Sequence, residues 1–306
     1  MKDTVLKMVL QMIQAGKSHR EIQDVTGLGL ATISRWRNEG KCPPKQKMFD
    51  IESAVVINDG HRPYHDDEID DHICSHIELT RPDYIVNLGD LADFYAISSF
   101  NKNPSRISPV NFAKELVCIR QYLGRLRLIA PQARIIFIKG NHEDRLERYL
   151  WKNAPVLDFG KIPELKDIEE YEDLPKLTIP DLFGFKKYDI EYHEDGFQLG
   201  KLYCTHGSIV RKHSGYTAKA EYDKNGCVGI SGHTHRDGKY TLRNRSGQWV
   251  WWENFCTCDL DPEYANGQVM NWTQGFSHVT LVNGSPRVEQ IPIVDGFYVF
   301  GGVVYR

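Results

Sequence analysis

The chain has 306 residues, enough for two domains or for one large domain with an appendage. At 41% hydrophobic and 26% charged residues it reads as an ordinary globular protein, which excludes disorder, collagen-like repeats and coiled coil. No apolar run approaches the ~20 residues of a membrane span, and the opening MKDTVLKMVLQMIQAG has no cleavable signal pattern, so a cytoplasmic protein is expected.

The formal charge of −3 divides unevenly. Residues 1 to 49 carry nine Lys or Arg against four acids, a net +5, and the remainder carries −8. A basic head on an acidic body permits polyanion binding at one end. The seven cysteines form no CxxC pair and only Cys256 and Cys258 lie close together. Neither a disulfide framework nor a thiolate zinc knuckle is expected, and the thiols should be reduced.

In chain order, Leu6, Val9, Leu10 and Ile13 have the spacing of an amphipathic helix that ends at Gly16. Ser18 and Glu21 then form a capping-box pattern that starts a second short helix, which stops at Thr26, Gly27 and Gly29. A third helix through LATISRWRN is expected to bury Leu30, Ile33 and Trp36 and to end at Gly40 and Pro43-Pro44. This head resembles a helix-turn-helix module of the resolvase or transposase type. The resemblance implies DNA as a partner, with Thr32, Ser34 and Arg35 near base edges and Lys17, Arg20 and Arg37 near phosphates. Inert helical packing is the other reading of the same residues. CPPKQK (42 to 47) reads as a linker, so residues 1–46 form the head and 47–306 the body.

From Ser53 onward short apolar runs alternate with amphipathic stretches. Residues 53 to 58, 83 to 88, 133 to 138 and 201 to 205 are strand-like, 66 to 78 and 110 to 129 helical, and the part from Val228 to Val304 mostly strand and turn. Such a mixed α/β domain places its site in loops that leave strand carboxyl ends. The residues there are Asp59-Gly60-His61; Gly89-Asp90 and Asp93; Gly140-Asn141-His142-Glu143; His206-Gly207; and Gly232-His233-Thr234-His235. Each strand thus ends in an oxygen or imidazole donor, with glycine beside it to allow a sharp backbone turn.

Five such motifs in this order resemble the calcineurin-like metallophosphoesterase family, over about Ser53 to Val294. The resemblance implies a four-layer α/β/β/α sandwich and two divalent cations. Asp59, His61, Asp90 and His235 would hold one, and Asp90, Asn141, His206 and His233 the other, with Asp90 bridging. Mn2+ is the first choice by analogy, and Fe, Zn, Co or Mg also suit nitrogen and oxygen donors. Such a pair activates a water that attacks phosphorus. His142 would then be the general acid, and Asp93, from the GDxxD pattern, the carboxylate that orients it. Capping of a helix N-terminus is the other role open to Asp93.

Protein Ser/Thr phosphatases of this superfamily continue GDxxD with Arg-Gly, whereas Phe94-Tyr95 follow here, which speaks against protein phosphatase activity. Arg145, Arg211 and Lys212 are candidate phosphate contacts. GNHEDRLERYLW, RKHSGYTA and CDLDPEY resemble phage and prophage members of the family. PELKDIEEYEDLPKLTIPD (163 to 181) reads as an acidic surface insertion, and WVWWENF (249 to 255) as a core strand rather than a base-stacking platform. The expected activity is a dinuclear phosphodiesterase or nuclease acting on DNA. The alternatives are a phosphomonoesterase or cyclic phosphodiesterase on small molecules or phosphoproteins, and a DNA-binding regulator with a vestigial metal site.

Overall fold

The computed structural model describes residues 8–9, 11–13, 15–26, 29–30, 33–34, 49–99, 107–158, 176–261 and 269–306. It comprises two compact units, Met1–Phe49 and Asp50–Arg306. In the first, described residues are helical in all three expected stretches. Helix α1 (His19–Thr26) starts at the expected capping box: the Glu21 amide donates to Ser18 Oγ at 3.2 Å and the Ser18 amide to Glu21 Oε2 at 2.7 Å. Val9, Ile22 and Ile33 are buried together, with Met12 and Ile13 at the margin. Leu30 does not join them. It is 42% exposed, because it stands at the start of its helical stretch while Ile33, one turn on, reaches the small core. Leu6, Leu10, Gly27, Thr32, Arg35, Trp36, Arg37, Asn38, Gly40 and the 42–47 linker lie outside the described residues.

The second unit opens with β1 (Ile51–Ile57), α2 (Asp67–Thr80), β2 (Tyr84–Asn87), α3 (Pro109–Ile129), β3 (Arg134–Ile138) and α4 (Asp144–Asn153). After α5 (Ile179–Phe183) and α6 (Phe185–Tyr188) come β4 (Ile190–His193), β5 (Phe197–Leu199), β6 (Leu202–Thr205), α7 (Tyr216–Asn225) and β7 (Gly229–Ser231). The chain continues as β8 (Gly238–Asn244), β9 (Gly247–Glu253), β10 (Gly275–Val282), β11 (Ser285–Pro292), β12 (Tyr298–Phe300) and β13 (Val303–Tyr305). One sheet has the order β11-β10-β1-β2-β3-β4, with β1 to β4 parallel; the other runs β5-β6-β7-β9-β8; β12 and β13 form a hairpin.

Period-two alternation explains why the first sheet has two covered faces. Val55, Ile57, Ile85, Ile135 and Phe137 face a core shared with α2, α3, α5 and the start of α6. Ala54, Val56, Val86, Ile136 and Ile138 face Leu202, Cys204, Ile230 and Trp252 of the second sheet, whose other side carries α7. The layers are therefore α/β/β/α. Trp251, Trp252 and Phe255 are buried, so the aromatic run is core. Residues 163 to 175 of the acidic stretch, and 262 to 264 of CDLDPEY, lie outside the described residues. The six described cysteines are free thiols, and no helix among the described residues is long and apolar enough to cross a membrane. Parallel strands β1, β2 and β3 and their counterparts β6 and β7 direct their carboxyl ends toward one edge, where the two sheets bring five loops together.

Candidate metal centre

The backbone at these loops is unusual in a way that corrects the expected role of glycine. Asp59, His61, Asp90, His233 and His235 themselves take positive φ, between 44° and 70°. For non-glycine residues such angles are uncommon and collect at functional sites. Gly89 and Gly207 do supply left-handed turns, but Gly60, Gly140 and Gly232 do not. Gly140 and Gly232 serve close approach instead. A Cβ at Gly140 would overlap the Asp90 carboxylate, and one at Gly232 would come within 2.8 Å of Asp59 Oδ2.

The loops are fastened to one another through main-chain bonds, the Asp59 amide to Gly89 O and the His61 amide to Asp90 O, both at 3.0 Å. The carboxylates are anchored on one side only. Asp59 Oδ2 accepts from the His233 amide at 2.8 Å and from Asn58 Nδ2, while Asp59 Oδ1 is buried without a hydrogen-bond partner. Asp90 Oδ1 accepts from the His142 amide at 2.8 Å, leaving Oδ2 to face the interior of the site.

Around those inward oxygens the imidazoles converge in two groups. His61 Nε2 and His235 Nε2 are 3.0 Å apart, and Asp59 Oδ1 is 3.8 and 3.4 Å from them. His206 Nε2 lies 3.3 Å from Asp90 Oδ2 and 2.9 Å from Asn141 Oδ1, and His233 completes this second group. Asp90 Oδ2 is also 4.0 Å from His61 Nε2, so one oxygen stands between both groups. His206 Nδ1 donates to Leu88 O at 3.0 Å, which leaves Nε2 as the nitrogen facing the site. Buried oxygens and ring nitrogens directed at each other, with Asp59 Oδ1 orphaned, are a donor set that fits two divalent cations.

The electrostatics agree. Burial opposes charge on Asp59 and Asp90, yet His235 and His206 hold Asp59 below the ordinary range and His206 and His142 hold Asp90 well below it. Burial likewise opposes charge on His206, but Asp90 lifts it to about 9, and Asp59 lifts His235 to about 10 against the same burial. The site thus concentrates negative charge and collects positive charge.

His142 lies at the margin of both groups, 4.3 Å from the His61 ring centroid. Its Nδ1 donates to the Asp93 main-chain carbonyl at 2.9 Å; the Asp93 carboxylate is 3.7 Å from that nitrogen and 3.5 Å from His61 Nδ1. Asp93 therefore orients His142 through its carbonyl, and its side chain stands between two histidines. Arg145 donates to His142 Nε2 and to Asp93 O, both at 2.7 Å, which puts its guanidinium beside the site. Arg211 and Lys212 are elsewhere. Both are exposed, Arg211 lines a separate cleft with Tyr216 and Lys219, and no hydrogen bond or ion pair joins either to the candidate ligands. In the first unit Lys17 and Arg20 are exposed and Ser34 is half-buried.

Several contributors escaped sequence reasoning. Buried Glu143 accepts from the amides of Asp90, Leu91, Ala92 and Gly140, fastening two ligand loops at once. Buried Glu253 accepts from the Gly215 and Ala218 amides and the Thr234 hydroxyl, and Glu221 from the Ser208 and Ile209 amides. Cys258 Sγ lies 3.9 Å from His235 Nδ1, and the Trp272 ring is 4.3 Å from the His235 ring. Glu143 stands in the motif Gly140-Asn141-His142-Glu143, where no local pattern marks it as an anchor of amides; the others act across folds of chain that no local pattern reports.

A family model described as Calcineurin-like phosphoesterase matches residues 53–265. The Gene 54 protein of Mycobacterium phage L5 is 27% identical over 268 residues, covering 82% of this chain and 98% of that protein. The Gene 54 protein of Mycobacterium phage D29 is 26% identical over 264 residues with the same coverage. Similar solved structures include Pseudomonas putida nuclease MPE, at 13% identity and TM-score 0.29, covering 78% of this chain and 86% of that one. Another is the phosphoesterase Yfce from E. coli, at 14% identity and TM-score 0.33, covering 79% and 100%.

Proposed function

Because the chain belongs to the calcineurin-like phosphoesterase family of metal-dependent hydrolases, we propose that it cleaves phosphodiester bonds in DNA at the centre just described. On this reading Asp59, His61, Asp90 and His235 hold one divalent cation and Asp90, Asn141, His206 and His233 a second, Mn2+ for preference. The observation that carries the reading is Asp90: one oxygen is fixed by the His142 amide and the other faces both imidazole groups, the position of a bridging ligand. When bound, the cations supply Lewis acidity toward the phosphoryl oxygens and a deprotonated water as nucleophile at neutral pH.

The chain's own residues do the rest. His142, its Nδ1 donating to Asp93 O, turns Nε2 toward the leaving oxygen; burial lowers the ring's pKa to about 3, so Nε2 is an acceptor that must first take up a proton in order to serve as the acid. In the substrate-free chain Arg145 donates to that Nε2. A phosphoryl oxygen that takes over the guanidinium frees Nε2 to take up a proton from solvent and pass it to the leaving oxygen, so Arg145 couples substrate arrival to the acid. The N-terminal unit delivers the enzyme to DNA through Lys17, Arg20, Thr32, Ser34, Arg35 and Arg37. The basic head supports this part.

Incubation with Mn2+ and a panel of labelled single- and double-stranded DNA, bis(para-nitrophenyl) phosphate and para-nitrophenyl phosphate tests the reading. DNA cleavage and preference for the diester are expected. Brisk monoester hydrolysis without DNA cleavage would show a phosphomonoesterase instead.

A further inference from the structure

Helix α4, which follows Asn141 directly, carries a charge pattern that the chemistry above does not use. It buries Leu146 and Leu150, so Arg148, Tyr149 and Lys152 fall on its exposed side. With Arg145 they line a cleft of about 510 Å³ whose lining also includes Asn141 and Ser98. Three cations and no carboxylate are among the described lining residues. A second cleft, of about 420 Å³, is also lined by Asn141, His206 and Arg148, with Asp144, Glu194, Asp195 and Glu221 among its acids and Lys139 and Lys224 among its cations. The candidate ligand Asn141 thus stands where two clefts meet. An isolated ester needs one entrance, whereas a chain that continues beyond the reacting phosphate needs room on both sides.

Arg145 is engaged with His142 and Asp93 and belongs to the reacting centre. Arg148 is placed differently. Its guanidinium is exposed, and its partner Asp144, half-buried, is also paired with Lys139, so a phosphate can take over the guanidinium without leaving Asp144 unpaired. Arg148 and Lys152 are four residues apart on the same face, neighbours on the helix surface, so their long side chains can converge on one phosphate.

We propose that Arg148 and Lys152 bind the phosphate adjacent to the scissile one, which makes the substrate a polynucleotide strand rather than a lone phosphate ester. This rests on the phosphodiesterase reading of the metal centre. It adds a specificity site to that reading, since a second phosphate is recognised by charge-assisted hydrogen bonds independent of base identity.

The test uses the Mn2+-loaded full chain and two chromogenic diesters, the para-nitrophenyl phosphate ester of thymidine and the same ester on a thymidylyl dinucleotide with one further phosphate. Both are made in the 5′ and the 3′ series and are too short to engage the N-terminal unit. In one polarity the extra phosphate should raise kcat/KM about tenfold in the unsubstituted protein. In Arg148→Gln/Lys152→Gln the ratio should fall below about twofold, while Arg148→Lys/Lys152→Arg restores most of it. An equal ratio in the charge-neutral variant, or a ratio near one in the unsubstituted protein in both polarities, overturns the inference. If neither ester is turned over, the phosphodiesterase reading itself fails. Titration of a phosphorothioate analogue of the dinucleotide then decides the Arg148 and Lys152 contact separately: tighter binding to the unsubstituted protein than to the charge-neutral variant supports it, and equal binding rejects it.

Discussion

Asp59 and Asp90 are each held by one oxygen and left open at the other, and both adopt a left-handed backbone at the end of a buried strand. Local propensity resists such a conformation, so the surrounding bonds must enforce it. Buried Glu143, with four amide donors on its carboxylate, is the clearest enforcer. Glu143→Gln puts an amide NH₂ against N–H donors and should cost about 2–4 kcal/mol of stability, read by chemical denaturation. Loss below about 0.5 kcal/mol would show that the loops hold themselves. His142→Asn should lower kcat by about 10²-fold or more while Mn2+ binding persists, because the proposed role of the residue is proton transfer to the leaving group rather than holding a cation. An unchanged rate removes His142 from the chemistry. The residue types at the strand ends were legible from the chain alone because donors recur at each one. Which oxygen or nitrogen is free was not, since that is decided by amides of loops tens to hundreds of residues away, as with His233 N on Asp59.

At the scale of elements, the first-sheet strands that deliver the site were legible because they carry apolar runs covered on both faces, as in residues 135–138. Edge strand β4, with no fully buried residue, has no such run and went unread. Helix α2 carries a feature with a pH consequence. His76 is fully buried against Phe276, His278, Tyr298 and Phe300, and its Nε2 is 3.1 Å from His278 Nδ1; His72, one turn earlier, faces Tyr298 and Glu68. Burial, with His278 adding to it, pushes His76 from 6.5 down to about 4. A histidine whose folded pKa is depressed contributes stability above its unfolded value, and that contribution is lost as pH falls from 6.5 toward 4. The melting temperature of the metal-free protein should therefore drop across that window. His76→Leu should drop less, His278 still titrating; an identical pH profile in the variant would contradict this.

The whole molecule joins a unit of +5 to one of −8, and the larger unit holds Asp59, Asp90 and Asp93 where cations are proposed to bind. The change of charge sign along the chain falls at the border between the two units, whereas Leu30 was misplaced because a core of three side chains leaves little margin for counting residues around a helix. Deleting residues 1–46 should weaken DNA affinity and flatten its salt dependence while small-diester hydrolysis continues. Unchanged affinity and slope would end the delivery role.

The central claim is a pair of cations bridged by Asp90 that together drive diester hydrolysis. Its most direct measurement titrates Mn2+ into chelator-stripped protein, following bound metal and bis(para-nitrophenyl) phosphate turnover together, for the unsubstituted chain and Asp90→Asn. The account predicts two ions per chain with turnover rising as both sites fill, and weaker binding with turnover lowered by at least about 10²-fold in the variant. Turnover that survives chelation, or that the variant retains in full, would contradict it.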